Sequence, residues 1–382
     1  MHRSISAVSF FAIFAALAPA DSLNRYIQTN LVSDLPGEAA HQDADLVNPW
    51  GIVAGPSTPF WIADNHTGLS TLYNGAGTKL PLVVTVPPAA GNTGPGAPTG
   101  LVFNGSSGFG GARFIYDSED GTLSAWSSGT SATLQATSPT GSVYKGLAIG
   151  SGATGQMLYA ANFGLGKVDV FDSTFKPISV AGGFTDSTIP AGFAPFGIQN
   201  INGDIYVTYA RQDAAKEDDI PGPGSGFINV FDTNGNLIRR LASDGALNSP
   251  WGLTLAPSQF GAFGGDLLVG NFGDGAINAY NPATGAFLGS LAGSNGSALA
   301  IQGLWGLSFG NGAQGQDPNT LYFTAGIPGD GAVEDHGLFG AVAVATPEPQ
   351  SAMLLGVAGL FLSLLAFRGR AKSILLERSS KA

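Results

Sequence analysis

Short apolar runs alternate with Gly- and Pro-rich turns along most of the chain, and a five-residue motif returns with them. The six copies of this motif, which we call the anchors, are NPWGI at 48–52, APTGL at 97–101, VYKGL at 143–147, APFGI at 194–198, SPWGL at 249–253 and GLWGL at 303–307. The anchor glycines follow one another at intervals of 46 to 55 residues. A unit repeated six times at about 50 residues predicts a radial repeat.

Each anchor begins a short strand, and further apolar runs predict four strands in most repeats. The runs are rich in β-branched and aromatic residues and are bounded by turn residues, as in FWIADN at 60–65. Alternation of apolar and polar residues, as in Val168-Asp169-Val170, predicts strands with one face packed in the core and one face more accessible to solvent. Six units of four strands predict an all-β fold, a six-bladed β-propeller.

The sixth repeat lacks a fourth strand, because the chain runs from Ala345 directly into TPEPQ. The segment NRYIQTNLVS at 24–33 precedes the first anchor and belongs to no complete repeat. We expect this segment to pair beside residues 337–345, so that both ends of a propeller domain at 21–345 complete one blade. Such closure leaves only short outer edges, which limits pairing with other chains.

Composition excludes several classes of protein. Of the 382 residues only 11% are charged, and 27 acidic against 16 basic residues give a net charge of −11. Phosphate contacts would be opposed by this charge, so we expect no nucleic-acid partner. The chain contains no cysteine, which excludes disulfides and thiolate metal sites.

The first 20 residues have the order of a secretory signal peptide. Arg3 precedes an apolar run from Ala7 to Leu17, and the small residues Ala18 and Ala20 follow. The run is too short to span a bilayer, and Ala-Pro-Ala suits a cleavage site after Ala20. The alternative is a buried N-terminal helix.

The last segment, 346–382, predicts a short transmembrane helix followed by a basic tail. The triplet Pro347, Glu348 and Pro349 precedes an apolar stretch at 352–367, and Arg368 and Arg370 follow it. Sixteen residues are short for a spanning helix, but flanking arginines can reach the interface. The alternative is an ordinary membrane anchor with its positive side in the cytoplasm.

This three-part tail resembles the PEP-CTERM sorting signal of Gram-negative bacteria. The resemblance implies recognition by an exosortase after passage through the secretion machinery, transient anchoring in the inner membrane, and release to the cell surface or the biofilm matrix. The partners so implied are extracellular polysaccharide or surface proteins. The chain from Tyr26 to Ala345 is also similar to an uncharacterised propeller family that often carries this tail, and distantly to NHL-type and gluconolactonase-type propellers.

Asp64 with Asn65, Asp117, Asn162 and Asn271 end the second strand of four different repeats, and of these Asp64, Asn162 and Asn271 are the predicted metal ligands. If these positions converge near the channel, their oxygen atoms suit calcium. The resemblance to gluconolactonase-type propellers implies that a metal there activates the reaction. The alternative is that Asp and Asn at these positions are strand-terminating turn residues.

Three acidic clusters lie in connections between predicted strands, where functional residues concentrate. They are His41, Asp43 and Asp45; Glu217, Asp218 and Asp219; and Asp330, Glu334, Asp335 and His336. The alternative for each cluster is a solvated loop. Trp50, Trp251 and Trp305 hold the same position in three anchors, which favours packing between blades over stacking on sugars.

The leading hypothesis from the sequence is an exported, non-enzymatic propeller that acts as a binding or structural module at the surface or in the matrix. No residue is assigned a catalytic role. The competing hypothesis is a calcium-dependent hydrolase or lactonase that works at the channel. A third interpretation is a permanently anchored protein of the periplasm or inner membrane.

Overall fold

A computed structural model describes residues 24–152, 155–329 and 333–345, and these residues form a ring of six β-sheets. The predicted six-bladed β-propeller is confirmed. The signal peptide with Ala18 and Ala20, and the tail at 346–382 with its sorting residues and its helix at 352–367, lie outside the described residues. In the described part of the chain, no helix is long and apolar enough to cross a membrane.

We number the blades I to VI in the order of the anchors. Two strands precede blade I, namely β1 (Tyr26–Ser33) and β2 (His41–Gln42). Blade I contains β3 (Pro49–Val53), β4 (Phe60–Asp64), β5 (Leu69–Tyr73) and β6 (Val84–Thr85). Blade II contains β7 (Pro98–Phe103), β8 (Phe114–Ser118), β9 (Thr122–Trp126) and β10 (Thr133–Thr137). Blade III contains β11 (Tyr144–Gly152), β12 (Gly155–Asn162), β13 (Lys167–Asp172) and β14 (Pro177–Ile178).

The second half of the ring repeats this order. Blade IV contains β15 (Phe193–Ile201), β16 (Asp204–Arg211), β17 (Phe227–Phe231) and β18 (Leu237–Ser243). Blade V contains β19 (Pro250–Leu255), β20 (Leu267–Asn271), β21 (Ile277–Tyr280) and β22 (Phe287–Ser290). Blade VI contains β23 (Leu304–Phe309), β24 (Leu321–Ile327) and β25 (His336–Val344). Two short 3-10 helices are at Phe109–Gly111 and Gly261–Phe263.

The ring closes through the N-terminal strand, as predicted. Strand β1 pairs antiparallel with β25, with Tyr26 opposite Val344 and Ser33 opposite Leu338. A bulge between Asn30 and Val32 shifts the register once. Blade VI is therefore built from both ends of the domain, and β2 extends it to five strands.

The anchor glycines are explained by the close approach of neighbouring inner strands. A Cβ atom at Gly51 would lie 2.6 Å from the carbonyl oxygen of Thr99, and one at Gly100 would lie 2.2 Å from the backbone nitrogen of Leu147. Any larger residue would push the blades apart at these points. Because the glycine is a requirement of blade packing, it returns once in every repeat.

Candidate functional site at the mouth of the central channel

The centre of the ring is filled by aromatic side chains from four blades. The residue before the anchor glycine is aromatic in blades I, IV, V and VI, at Trp50, Phe196, Trp251 and Trp305. The rings of Trp50 and Trp305 stack with centroids 3.5 Å apart, and Trp251 meets both edge-on at 6.1 and 5.7 Å. Trp50 and Trp305 are buried, so the packing interpretation of these tryptophans is confirmed.

Blade III places a lysine where these four blades place an aromatic residue. Lys145, on β11, is only 2% exposed. Its Nζ atom lies 4.9 Å from the centroid of the Trp50 ring, 2.5 Å from Oε1 of Glu119 and 3.3 Å from Oδ1 of Asp218. Lys145 therefore lies between the central aromatic rings and a set of acidic side chains.

These acidic side chains line a cavity of about 500 Å³, which we call the mouth cavity. Its polar lining comes from the connections of blades I, II, IV and VI, and consists of Asn48, Asn65, His66, Glu119, Asp120, Glu217, Asp218 and Glu334. Five carboxyl groups thus surround one cavity, and Lys145 is the ammonium group bound directly to two of them. A cavity of this size with converging polar groups fits a small ligand.

Two buried amides orient the carboxylates of the cavity. Asn65 donates from Nδ2 to Oε2 of Glu119 at 2.9 Å, and Asn48 donates from Nδ2 to Oε1 of Glu334 at 3.3 Å. Asn48 in turn accepts a hydrogen bond from the indole nitrogen of Trp305 at 3.2 Å. Asn48 has a positive φ of 48°, a left-handed conformation that asparagine tolerates, and Ser249 at the equivalent position of its anchor has a φ of 46°.

Burial changes the acidity of two carboxyl groups in this region. Desolvation raises the pKa of Glu334 to about 7, although Lys145 and the hydrogen bond from Asn48 act in the opposite direction. Desolvation also raises the pKa of Asp219 to about 6, against the lowering effects of Ser249 and Lys145. A carboxyl group that titrates near neutral pH within a cavity is a candidate for proton transfer.

The predicted calcium ligands lie in three different blades, and each forms hydrogen bonds within its own blade. Asp64 is fully buried and accepts from the backbone nitrogen of Thr71 at 3.0 Å. Asn162 donates to Asp169 at 2.7 Å, and Asn271 donates to Asp274 at 3.1 Å. The three residues belong to blades I, III and V, and none lines the mouth cavity.

A calcium ion shared by Asp64, Asn162 and Asn271 stays a prediction. Within residues 24–152, 155–329 and 333–345, no group of three or more His, Asp or Glu side chains is arranged to hold a metal ion. The amide nitrogen of Asn271 also donates to the carbonyl oxygen of Ala246 at 2.8 Å. Oδ1 of Asn162 accepts a hydrogen bond from the backbone nitrogen of Leu165 at 3.1 Å, whereas Oδ1 of Asp64 and Oδ1 of Asn271 are buried without a hydrogen-bond partner among the described residues.

The three acidic clusters lie at different places in the structure. Glu217 and Asp218 from the second cluster and Glu334 from the third meet at the mouth cavity. Asp43 and Asp45 from the first cluster instead hold Lys79, at 2.7 and 2.6 Å. Of the remaining predicted residues, His336 is hydrogen-bonded through Nδ1 to Asp34 at 2.6 Å. His41 and Asp335 do not line the mouth cavity. Asp330 lies outside the described residues.

Sequence reasoning missed Lys145, Glu119 and Asn48 as site residues, whereas Asn65 was among the strand-ending candidates and does line the mouth cavity. A signal for Lys145 was present, because VYKGL has a lysine where four other anchors have Trp or Phe. Removing a charged side chain from water costs free energy, so a lysine at a repeat position that is otherwise aromatic marks an unusual site. Glu119 lies in an ordinary strand-connecting turn, and only the ring geometry brings it to Lys145.

The fold and this site define the class of protein: a six-bladed β-propeller with an acidic cavity at the mouth of its channel. The chain belongs to the family of two uncharacterized proteins of Acanthamoeba polyphaga mimivirus. It is 35% identical to protein R648 over 315 aligned residues, and this alignment covers 78% of this chain and 76% of R648. It is 34% identical to protein L690 over 320 aligned residues, and this alignment covers 77% of this chain and 80% of L690. No protein-family model matches the chain.

Solved structures of similar fold have mixed functions. A streptogramin B lyase superposes with a TM-score of 0.51 at 11% identity, covering 85% of this chain and all of the lyase. A protein of unknown function from Bacteroides thetaiotaomicron gives 0.53 at 12% identity, covering 83% of this chain and 76% of that one. At such low identity the likeness extends to the fold alone.

Proposed function

We propose that the protein is a binding propeller that holds a small organic cation in the mouth cavity. The observation that carries this proposal is the convergence of five carboxyl groups on one cavity, against the single ammonium group of Lys145. A cleft lined by one sign of charge concentrates ligands of the opposite sign. The amides Asn48 and Asn65 supply oriented polar atoms for specificity.

The test is a calorimetric titration with putrescine and agmatine, each compared with a neutral molecule of similar length such as 1,4-butanediol. We expect saturable binding of at least one cation and none of the neutral molecule. Glu119→Gln should weaken this binding by about tenfold, because it removes one charge beside the ligand. Glu38→Gln is the matched control, since Glu38 is exposed and lies outside the mouth cavity.

Equal binding of the neutral molecule would contradict a charge-based site. Unchanged binding in Glu119→Gln would instead show that the cations bind elsewhere on this acidic protein. Raising the salt concentration should weaken binding only modestly if the cation is partly buried, because screening acts mainly on exposed charges.

The proposal includes export and sorting, which rest on the two terminal segments of the sequence. The segment 1–20 supports secretion, and the triplet Pro347, Glu348 and Pro349 with its basic flank supports recognition by an exosortase and a place at the cell surface or in the matrix. The test is the intact mass of the protein from its native host after fractionation. A mass ending near Pro349, in the medium or matrix, is expected. A mass that extends to Ala382, in the membrane fraction, would favour a permanent anchor.

A second candidate function is hydrolysis at the same cavity, and the raised pKa of Glu334 favours it. A general base works best when its pKa is near the operating pH, and burial brings that of Glu334 to about 7. A screen of lactone and ester substrates would test this candidate. Activity that is abolished in Glu334→Gln, with the fold retained, would support it. Activity that survives this change would remove Glu334 from consideration.

A further inference from the structure

A second cavity lies on the face of the ring opposite the mouth cavity. Asn48 and Asn65, which line the mouth cavity, precede β3 and follow β4. The connection 54–59 between these two strands is therefore at the other end of blade I, and the corresponding connection 104–113 of blade II lies beside it. The two connections enclose a cleft of about 420 Å³, which we call the rear cleft and whose lining includes Ser57, Thr58, Phe103, Asn104, Ser106 and Arg113.

The rear cleft differs from the mouth cavity in its charge. Arg113 lines it, and no Asp or Glu does so among the residues that the structure describes. Arg113 is exposed, and its guanidinium group forms no hydrogen bond or ion pair with a described residue. A guanidinium group presents a planar fork of N–H donors that matches a carboxylate. The rear cleft therefore offers an unoccupied cationic group to an anionic ligand.

The net charge of −11 would repel an anion from this protein at a distance. Salt limits that repulsion, because charges are screened over about 8 Å at physiological ionic strength, whereas a guanidinium–carboxylate contact acts at hydrogen-bond distance. An anion that reaches the rear cleft is therefore governed mainly by Arg113 and by the neutral groups around it.

Both walls of the rear cleft are fixed by hydrogen bonds. In blade I, the carbonyl oxygen of Thr58 accepts from Nδ2 of Asn311 at 3.0 Å and from Nε2 of Gln316 at 2.9 Å, and both donors belong to blade VI. In blade II, Oδ1 of the buried Asn104 accepts from the backbone nitrogen and the hydroxyl group of Ser106, at 3.0 and 2.6 Å. These contacts shape the cleft without engaging Arg113, so a ligand need not order the walls when it binds.

The ring of Phe103 and the hydroxyl group of Ser57 add two further kinds of contact. The Phe103 ring packs against Gly55, where a Cβ atom would lie 2.7 Å from the ring, and stays partly exposed in the cleft. Ser57 is exposed on the blade I wall, and its hydroxyl group has no hydrogen-bond partner among the described residues. A few polar groups beside an apolar surface are typical of small-molecule sites. A pyranose with a carboxylate matches all three groups through its C–H face, its hydroxyl groups and its charge.

We propose that the rear cleft binds a sugar acid, a pyranose ring that carries a carboxylate. Arg113 binds the carboxylate, Phe103 packs against the sugar ring, and Ser57 bonds to a sugar hydroxyl group. This site goes beyond the proposed function, because it lies on the other face of the propeller, prefers the opposite charge and shares no lining residue with the mouth cavity. A volume of about 420 Å³ is within the range of small-molecule pockets.

The experiment is a calorimetric titration of the full chain with D-glucuronate, D-galacturonate, D-glucose and acetate. We expect saturable binding of at least one sugar acid, and binding at least about tenfold weaker for glucose, which lacks the carboxylate, and for acetate, which lacks the ring. Arg113→Gln should weaken binding of the sugar acid at least about tenfold, because a charged hydrogen bond is lost. Arg113→Lys should retain part of the affinity, since it keeps the charge but loses the planar fork.

Arg211→Gln is the matched control. Arg211 is also exposed, but it ends β16 in blade IV and does not line the rear cleft. This change removes the same charge from the protein and should leave binding of the sugar acid as in the wild type. Ser57→Trp fills the rear cleft from its other wall without changing the charge, and it should abolish binding. Ser57 is exposed, so the larger side chain does not enter the core.

Three results would overturn the proposal. The first is no saturable binding of either sugar acid at concentrations up to about 10 mM. The second is binding of glucose as tight as that of the sugar acids, because the site would then not depend on the carboxylate. The third is unchanged binding in Arg113→Gln or in Ser57→Trp, because the sugar acid would then be bound elsewhere on the protein.

Discussion

Lys79 and Lys145 are each held between two carboxylate side chains, but only Lys145 is itself buried. Lys79 contacts Asp43 and Asp45 at 2.7 and 2.6 Å and remains 30% exposed. Lys145 is 2% exposed and has an aromatic ring on its other side. Because water reaches the ammonium group of Lys79 and hardly reaches that of Lys145, the same chemistry gives a surface contact in one place and a fixed charge beside the central rings in the other.

The difference depends most strongly on the ring beneath Lys145, which has no counterpart at Lys79. Trp50→Ala should lower the free energy of unfolding by about 3–5 kcal/mol, because it opens a cavity against Trp305. Urea unfolding measures this loss. Trp126→Ala is the control, since Trp126 is only partly buried, and it should cost about 1 kcal/mol. Equal losses would show that the centre of the ring is no better packed than its outer strands.

The buried charge itself should have the next largest effect. Lys145→Met leaves Glu119 without its ammonium partner and should lower the free energy of unfolding by about 2 kcal/mol. Glu119 retains a hydrogen bond from Asn65 and some contact with water, which limits the loss. Chemical denaturation of both proteins measures the effect. A stability equal to that of the wild type would mean that the ion pair contributes nothing net.

The carboxylates around Lys145 should also give the protein a characteristic pH dependence. The pKa of Glu334 rises from 4.5 to about 7 on folding, so between these pH values the folded state binds more protons than the unfolded state. Stability therefore falls as pH rises through this window, and Glu334→Gln should flatten the slope by on the order of 1–2 kcal/mol in total. Unfolding free energies at pH 4.5, 6 and 7.5 for both proteins measure this. Parallel slopes would assign the titration to another group.

The pairing of Lys79 with Asp43 and Asp45 should contribute little to the free energy of unfolding. Lys79→Met is expected to change the free energy of unfolding by no more than about 1 kcal/mol, because exposed ion pairs gain little. Urea unfolding in low and high salt measures the difference between the two lysines. A loss as large as that of Lys145→Met would remove burial as the explanation of their contrast.

The propeller could be predicted because its determinants are local and repeated. Gly51 and Gly100 are required by contacts that every blade makes with the next, so the requirement appears in the sequence at a constant spacing. The segment at 24–33 belongs to no complete repeat, and the sixth repeat lacks its fourth strand. Together these two facts predicted that the ring closes through the pairing of β1 with β25.

The site could be predicted only in part, because it depends on groups brought together by the ring. Glu217, Asp218 and Glu334 were visible as acidic loop residues, but nothing in their sequence indicated that they meet. Asp64 and Asn162 were conspicuous by position, yet each bonds within its own blade, Asp64 to the backbone nitrogen of Thr71 and Asn162 to the carboxylate of Asp169. Such competition between nearby polar groups is set by three-dimensional contacts and leaves no spacing in the chain.

The pairing of β1 with β25 has a consequence for how the chain reaches its final form. Ser33 donates to the carbonyl oxygen of Gly337, a contact between residues 304 positions apart. During synthesis β1 emerges first and has no complete partner until the last blade has been made. Contacts between such distant residues form slowly because loop closure costs entropy. The seam between β1 and β25 is therefore expected to form last on folding and to open first when the ring comes apart.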